Sequence, residues 1–226
     1  MKIGNLSVFV MLMVTVTVFS QRAVEKNVGD FKEIKVYDLI EVKLIKSDEN
    51  KVVVKGDNVD DIQIVNKNNT LKIKMALDKI FHGENTFVEV YFKEIRSIDG
   101  NEGAKISVNE LLVQDALELK AQEGASINVK MDVAQLSARS VTGGIIATSG
   151  KTKNVSLALN TGGVFEGKTL ESGTVKVKIT TGGSAEVFAS ERADIDIKAG
   201  GDVVVFGNPK EVNKNTFAGG RVKIME

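Results

Sequence analysis

Seven glycines recur along the C-terminal half of the chain at intervals of 18 to 21 residues, and they are Gly103, Gly124, Gly143, Gly162, Gly182, Gly200 and Gly219. A constant period of about twenty residues is typical of a solenoid, in which each repeat packs mainly on its neighbours. The flanks of each glycine carry alternating apolar residues. Each repeat therefore reads as a strand, a tight turn and a second strand.

The apolar positions stand seven, five and three residues before each glycine, and again three and five residues after it. The columns are Leu117, Leu136, Val155, Val175, Ala193; Leu119, Ala138, Leu157, Val177, Ile195; and Ala121, Ser140, Leu159, Ile179, Ile197. A period of two indicates strands with one face turned inward. Stacked about 4.8 Å apart, like residues lie on like. The pattern predicts an all-β fold, a right-handed parallel β-helix with repeats of about 18–21 residues.

The residues between these columns are polar and are expected to face outward. On adjacent repeats, Lys176 should neighbour Asp194, and Lys178 should neighbour Asp196. We interpret the seven glycines as structural turn residues, because a tight turn between two inward-packing strands favours positive φ or a missing Cβ. A phosphate-binding loop is disfavoured, since such a loop is followed by a helix and no helical pattern follows here.

The N-terminal half keeps the strand pattern without the regular glycine. We expect residues 31–100 to form irregular first coils and an N-terminal strand cap, continuous with the regular repeats of residues 101–226, in a single domain over residues 21–226. The irregular segment 75–85 should protrude, with Ile80 and Phe81 more often used to cover an open core than as an exposed contact patch. Residues 221–226 read as a final strand whose alternating charges protect an edge.

Residues 1–20 have the basic start and short apolar run of a secretory signal peptide. The prediction is export to the periplasm, the outer membrane or the outside, with no transmembrane segment in the mature chain. The chain has no cysteine, so no disulfide supports the fold. Lys plus Arg and Asp plus Glu are both 30, which removes the electrostatic footprint that nucleic-acid binding requires.

The sequence offers little catalytic chemistry. His82 is the only histidine, and we expect it to be an exposed loop residue. The acidic pairs Asp60 with Asp61, and Asp194 with Asp196, are the candidates for glycoside hydrolysis, but neither has a cleft signature. Aromatic residues make up 5% and there is no tryptophan, which disfavours a sugar-stacking groove. We therefore predict no catalytic residue, no metal and no cofactor.

Segments 102–108 and 123–129, with the Thr-Gly-Gly turns that follow, resemble the head GIN domain of auto-transporter adhesins. Segments 40–42 and 52–58 are similar to the opening of that domain. The resemblance implies a secreted protein of Bacteroidetes-type bacteria, with a right-handed parallel β-helix similar to pectin lyase folds but without their catalytic residues. It also implies a role in adhesion.

Together these observations predict a non-enzymatic protein of the cell envelope or surface whose outer ladder face binds a glycan or a protein. Two alternatives stay open: a periplasmic scaffold or envelope-assembly protein, and a carbohydrate-active enzyme on a pectin-lyase-like fold. Flat solenoid sides can also associate, so a homo-oligomer is a further expected option.

Overall fold

A computed structural model describes residues 23–56 and 59–225. The fold is nearly all β, with 70% of the residues in strands, and forms a β-solenoid of about seven turns. This confirms the solenoid predicted from the glycine period. The predicted signal peptide of residues 1–20 lies outside the described residues, as do Asp57 and Asn58.

Seventeen strands follow one another along the described ranges, with a short 3-10 helix at Leu77–Lys79 between the sixth and the seventh. They are Ala23–Asn27 (β1), Glu33–Val36 (β2), Glu41–Lys46 (β3), Lys51–Gly56 (β4), Ile62–Lys67 (β5), Thr70–Met75 (β6), Thr86–Phe92 (β7), Ser97–Gly100 (β8), Lys105–Ala121 (β9), Ser126–Val141 (β10), Ile145–Asn160 (β11), Gly163–Ile179 (β12), Gly183–Phe188 (β13), Arg192–Ala199 (β14), Asp202–Phe206 (β15), Glu211–Ala218 (β16) and Arg221–Ile224 (β17).

The strands form two faces of the solenoid. Face A contains β6, β2, β8, the C-terminal parts of β9 to β12, then β14 and β16, all parallel. Face B contains β7, β3, the N-terminal parts of β9 to β12, then β13, β15 and β17, also parallel. Each long strand from β9 to β12 passes from face B to face A, and a tight turn leads back to face B.

We call one turn of the solenoid, with its face A strand and its face B strand, a row. The first rows do not stack in the order in which the chain forms them. Ile34 of β2 pairs with Leu71 of β6 on one side and with Ile98 of β8 on the other. The row of β2 and β3 therefore lies between the row of β6 and β7 and the row of β8 and β9. The sequence pattern identified irregular N-terminal coils and did not predict this order of rows. Strand β4 pairs antiparallel with β7, and β5 pairs antiparallel with β6. These two strands thus lie beyond the row of β6 and β7, at the N-terminal end of the solenoid.

The predicted inward columns form the core. All fifteen positions before the glycines are buried, including Leu119 and Ile179 at 0% exposure and Val177 at 1%. After the glycines the inward residues are buried through Val205, whereas Ile224 in the last row is 44% exposed. One hydrophobic cluster extends from Phe31 to Val205, so the apolar ladders are continuous along the axis.

The glycine turns adopt the left-handed backbone region. At Gly143 φ is 72°, and the preceding Thr142 also has a positive φ of 50°. The next residue, Gly144, is needed for another reason, because a Cβ there would lie 2.3 Å from the carbonyl oxygen of Ala121. The second glycine of the Thr-Gly-Gly turn thus allows the close approach of adjacent rows.

Segment 75–85 protrudes, but its apolar residues do not cover the core. Leu77 is 78% exposed, Ile80 42% and Phe81 56%. The expectation that Ile80 and Phe81 cap an open core was wrong, because β5 and the chain around β1 already occupy that end. Asp38 anchors the segment, since its buried carboxylate accepts the backbone N–H of Met75 at 2.9 Å and of Phe81 at 3.3 Å.

Candidate binding groove

A groove of about 970 Å³ lies at the start of the face A parts of β9 to β11 and beside residues 94–96, which precede β8. It extends across four successive rows of the solenoid, which corresponds to a length of about 14 Å at the usual spacing of strands. The residues that line it are Glu94, Ile95 and Arg96 before β8; Gln114, Asp115, Ala116, Leu117 and Glu118 of β9; Gln135, Leu136 and Ser137 of β10; and Asn154, Val155 and Ser156 of β11. We call it the amide groove.

Strand register arranges the polar residues of the amide groove in two columns. Gln135 is directly opposite Asn154, and Ser137 is directly opposite Ser156. Between the columns, Leu136 and its neighbours in register point into the core and are almost fully buried. Because these apolar side chains fix the strands, the amides and hydroxyls stand on a rigid base.

The backbone of β10 and β11 below the groove is paired on both sides. Strand β10 pairs with β9 on one side and with β11 on the other, and β11 pairs in turn with β12. By contrast, the side chains of Gln135, Ser137, Asn154 and Ser156 are exposed, and none of these four makes a side-chain hydrogen bond to another described residue. The β10 and β11 rows of the groove thus offer side-chain donors and acceptors, and not free main-chain groups.

Charged residues at the rim of the groove pair with one another. Arg96 contacts Glu94 at 2.8 Å, and Glu118 accepts from Ser97 at 2.8 Å and contacts Lys120 at 2.7 Å. Burial alone would raise the pKa of Glu118, but the hydrogen bonds from Lys120 and Ser97 outweigh it and hold the pKa below its ordinary value. Glu118 is therefore ionised and already neutralised by its own neighbours.

The turn glycines that the sequence singled out lie at the other junction between the two faces. The seven have φ between 53° and 78°, with Gly182 at the low end and Gly219 at the high end. None of them lines the amide groove. The sequence does contain a signal for the groove, which is equally typical of a solvated face: Gln135 and Asn154, and Ser137 and Ser156, are each separated by 19 residues.

Asp194 and Asp196 are occupied by hydrogen bonds within their own face of the solenoid. Asp194 accepts hydrogen bonds from Arg192 at 2.9 Å and from Asn213 at 3.0 Å, and these two contacts lower its pKa. A general acid for glycoside cleavage needs the opposite shift. Asp196 accepts from Asn215 on the same open face. In the ranges that the structure describes, no group of three or more acidic, histidine or cysteine side chains is arranged to hold a metal.

Asp60 and Asp61 lie just before β5, remote in sequence from the groove residues. His82 is exposed in the protruding segment, as expected. Lys176 and Lys178 are in register with Asp194 and Asp196, which confirms the predicted cross-strand neighbours. Asp194, however, forms its ion pair with Arg192 of its own strand.

The family described as "Putative auto-transporter adhesin, head GIN domain" matches residues 30–209, which is most of the chain. The chain belongs to the head GIN domain family. This confirms the resemblance carried by the Glu-Gly-Ala segments and the Thr-Gly-Gly turns. Among proteins with curated descriptions, none matches this head GIN domain.

Solved structures share the fold of this head GIN domain. A "putative adhesin" from Bacteroides fragilis has a TM-score of 0.84 and 16% identity, with 92% of this chain and 98% of that chain covered. A "putative adhesin" from Parabacteroides distasonis has a TM-score of 0.75 and 19% identity, covering 91% of this chain and 97% of that one. A "putative lipid binding protein" from the same species has a TM-score of 0.71 and 15% identity, covering 92% and 98%. At these identities the likeness concerns the fold. No helix in residues 23–56 and 59–225 has the length and apolar character needed to cross a bilayer.

Proposed function

We propose that this head GIN domain is a non-enzymatic binding module of the cell envelope, and that it holds an extended partner in the amide groove. The observation that carries the proposal is the groove itself, which extends along four rows and presents, on its β10 and β11 rows, two amides and two hydroxyls that no described residue of the protein uses. Concave sites with a few convergent polar groups are the usual form of a ligand site.

The comparisons support the class of function. The family is named for adhesins, and two of the structural relatives carry the same name, whereas one is named for lipid binding. All of these names describe binding and none describes catalysis. Export through residues 1–20 and display at the cell surface are part of the proposal, in agreement with the signal-peptide pattern of that segment.

Localisation tests the envelope part of the proposal. Cells of the source bacterium are fractionated, and intact cells are treated with protease beside cells whose outer membrane has been permeabilised. We expect digestion on intact cells while a periplasmic marker protein stays protected. Protection until the outer membrane is opened would contradict surface display and favour the periplasmic scaffold.

Blocking the groove tests the binding part. Ser137→Tyr places a bulky side chain in the second column, and Asn128→Tyr places the same side chain on face B of the same strand. Both positions are exposed, so both variants should fold and melt like the native protein. We expect Ser137→Tyr to reduce attachment to the natural binding surface and Asn128→Tyr to leave it unchanged. Equal attachment by the two variants would contradict the groove as the site.

A further inference from the structure

We infer that the ligand of the amide groove is a neutral, linear glycan laid along the solenoid axis, an inference that rests on the proposed binding function. Three observations carry it: the main chain of β10 and β11 is paired on both sides, amides and hydroxyls repeat from β10 to β11, and the one cation among the lining residues is already paired.

The state of the main chain disfavours an added peptide strand. An extended peptide that joins a sheet does so through the unpaired N–H and C=O groups of an edge strand. In the groove, β10 lies between β9 and β11, and β11 lies between β10 and β12, so both strands are paired on both sides, whereas β9 pairs with β8 only from Glu118 onward. Along the β10 and β11 rows a ligand must therefore be recognised through side chains.

The side chains repeat along the axis. Gln135 and Asn154 place one amide above another, and Ser137 and Ser156 place one hydroxyl above another, at about 4.8 Å per row. Amides and hydroxyls both donate and accept hydrogen bonds. The hydroxyl groups of a sugar chain also do both, and a linear glycan repeats them along its length. The two columns, which span the β10 and β11 rows and continue as Ala116 and Glu118 in β9, therefore match a ligand that runs parallel to the axis.

Charge decides between neutral and acidic ligands. Arg96 is the only cation among the lining residues of the groove, and it is paired with Glu94. Asp115 is exposed at the rim, and Glu118 is held ionised by its own partners. An anionic glycan or a phosphate headgroup would find no unpaired cation here and would meet carboxylates instead, which costs affinity. A neutral chain meets no such penalty.

The groove has no aromatic lining residue, so recognition depends on hydrogen bonds. Each neutral hydrogen bond contributes little by itself, because it replaces a bond to water. Affinity should accordingly rise with the number of rows that a ligand engages. We expect oligosaccharides that cover all four rows to bind more tightly than shorter ones.

Affinity electrophoresis and calorimetry test this on the full chain. The probes are a neutral β-glucan and its oligosaccharides, a neutral mannan, polygalacturonate, and vesicles containing phosphatidylglycerol. The test variant is Gln135→Ala with Asn154→Ala, and the matched control is Asn128→Ala on face B of the same strand. Circular dichroism melting verifies that all three chains are folded.

We expect at least one neutral glycan to bind, with about a tenfold loss in the double variant, equal to roughly 1.4 kcal/mol, and no change in the control. Binding of polygalacturonate or vesicles through the groove in preference to neutral glycans would overturn the ligand class and leave the proposed binding function standing. Neutral-glycan binding that is equal in all variants would overturn the site. Failure of every neutral glycan to bind the native chain would overturn the inference but not the proposed function, which is tested separately by localisation and by the attachment of the Ser137→Tyr variant.

Discussion

The two ends of the solenoid are built in different ways. At the N-terminal end, the chain folds back over the first row and bonds across it: Asn66 donates to the carbonyls of Val28 and Asp30 at 2.7 and 2.8 Å, and Lys26 donates to that of Ile64 at 3.1 Å. Asn50 adds a bond to Asp30 and accepts one from Lys93. This end is closed by polar contacts between segments that are distant in sequence.

The C-terminal end is left open. Strand β16 pairs with β14 alone and β17 with β15 alone among the described strands. Every residue of β16 except the half-buried Val212 is exposed, and Phe217 reaches 88%. The last row covers the core of the row before it, but nothing among the described residues covers the last row.

The residue types at the open end fit this position. Lys214 is in register with the buried Ile195, which is itself one row from Val177, and Thr216 is in register with the buried Ile197. These two columns of face A thus change to a cation and a hydroxyl in the last row, whereas the last-row residues of face B, Val222 and Ile224, stay apolar. An inward-directed lysine discourages further strands from stacking on an edge. In the column of Val177, the residue is therefore apolar where it is covered and polar where it is not.

The largest expected loss of stability comes from placing a charge in the covered part of that column. Val177→Asp places an unpaired carboxylate in a site that is 1% exposed. Such a burial costs more than about 4 kcal/mol, a large part of the stability of a domain. We expect no native melting transition. Lys214→Asp, two rows further along the same column, should melt within about 0.5 kcal/mol of the native protein. Soluble, natively melting Val177→Asp protein would show that the column is not enclosed.

The sequence was sufficient to predict the covered columns, because a repeat stacks like residues on like and alternation alone separates inside from outside. It could not predict that β2 lies between β6 and β8. Ile34, Leu71 and Ile98 are equally apolar, so periodicity identifies a strand without identifying its neighbour. The misreading of Ile80 and Phe81 has the same origin, since their role depended on which segment closes the end.

The amide groove was missed for a different reason. Gln135 and Ser137 have the same polar, outward character as residues on any solvated face. What makes them a site is the groove that four successive rows form together, and that shape follows from three-dimensional packing. Only the repetition of residue types at a 19-residue separation was visible beforehand.

The turns also differ between the two ends of the solenoid, and a substitution in a turn should have an intermediate effect on stability. At the N-terminal end Asp38 and Leu39 carry the positive φ angles, whereas towards the C-terminal end glycine pairs do. Gly182 has a φ of 53°, and a Cβ there would meet no atom closer than 3.9 Å, so conformation alone opposes substitution. We expect Gly182→Val to cost about 1–2 kcal/mol or more, because valine is β-branched. Lys178→Ala, on the exposed face, should cost under about 0.5 kcal/mol. Equal melting temperatures for the two variants would refute the turn requirement.

Because the N-terminal end is closed by polar contacts, loss of an asparagine there should lower the stability more than loss of one at the open end. The difference should be smaller than the effect of the turn substitution. Asn66→Ala removes two hydrogen bonds that join β5 to the chain after β1, at about 0.5–1.5 kcal/mol each. Asn213→Ala at the open end removes bonds to the exposed carboxylates of Asp194 and Glu211, which contribute little. Thermal melting should rank Asn66→Ala clearly below Asn213→Ala. If Asn213→Ala melts lower, the open end contributes more to stability than its exposure indicates.

The smallest expected effect concerns the acidic turns near the closed end. Burial, and then the charge of the adjacent Asp38, raise the pKa of Glu102 above its ordinary value. A carboxyl group with a raised pKa in the folded state favours folding when protonated, so this contribution is complete below a pH of about 4.5 and is lost as the pH rises through the folded-state pKa. Glu102→Gln keeps a neutral side chain at all pH values. We expect it to melt at a higher temperature than the native protein at pH 7 and at the same temperature at pH 4.

Glu110→Gln, an exposed position on β9, is the matched control and should show no such pH-dependent gain. A destabilised Glu102→Gln variant at pH 7 would mean that ionised Glu102 makes a favourable contact, and that the acidic turns strengthen the closed end instead of weakening it.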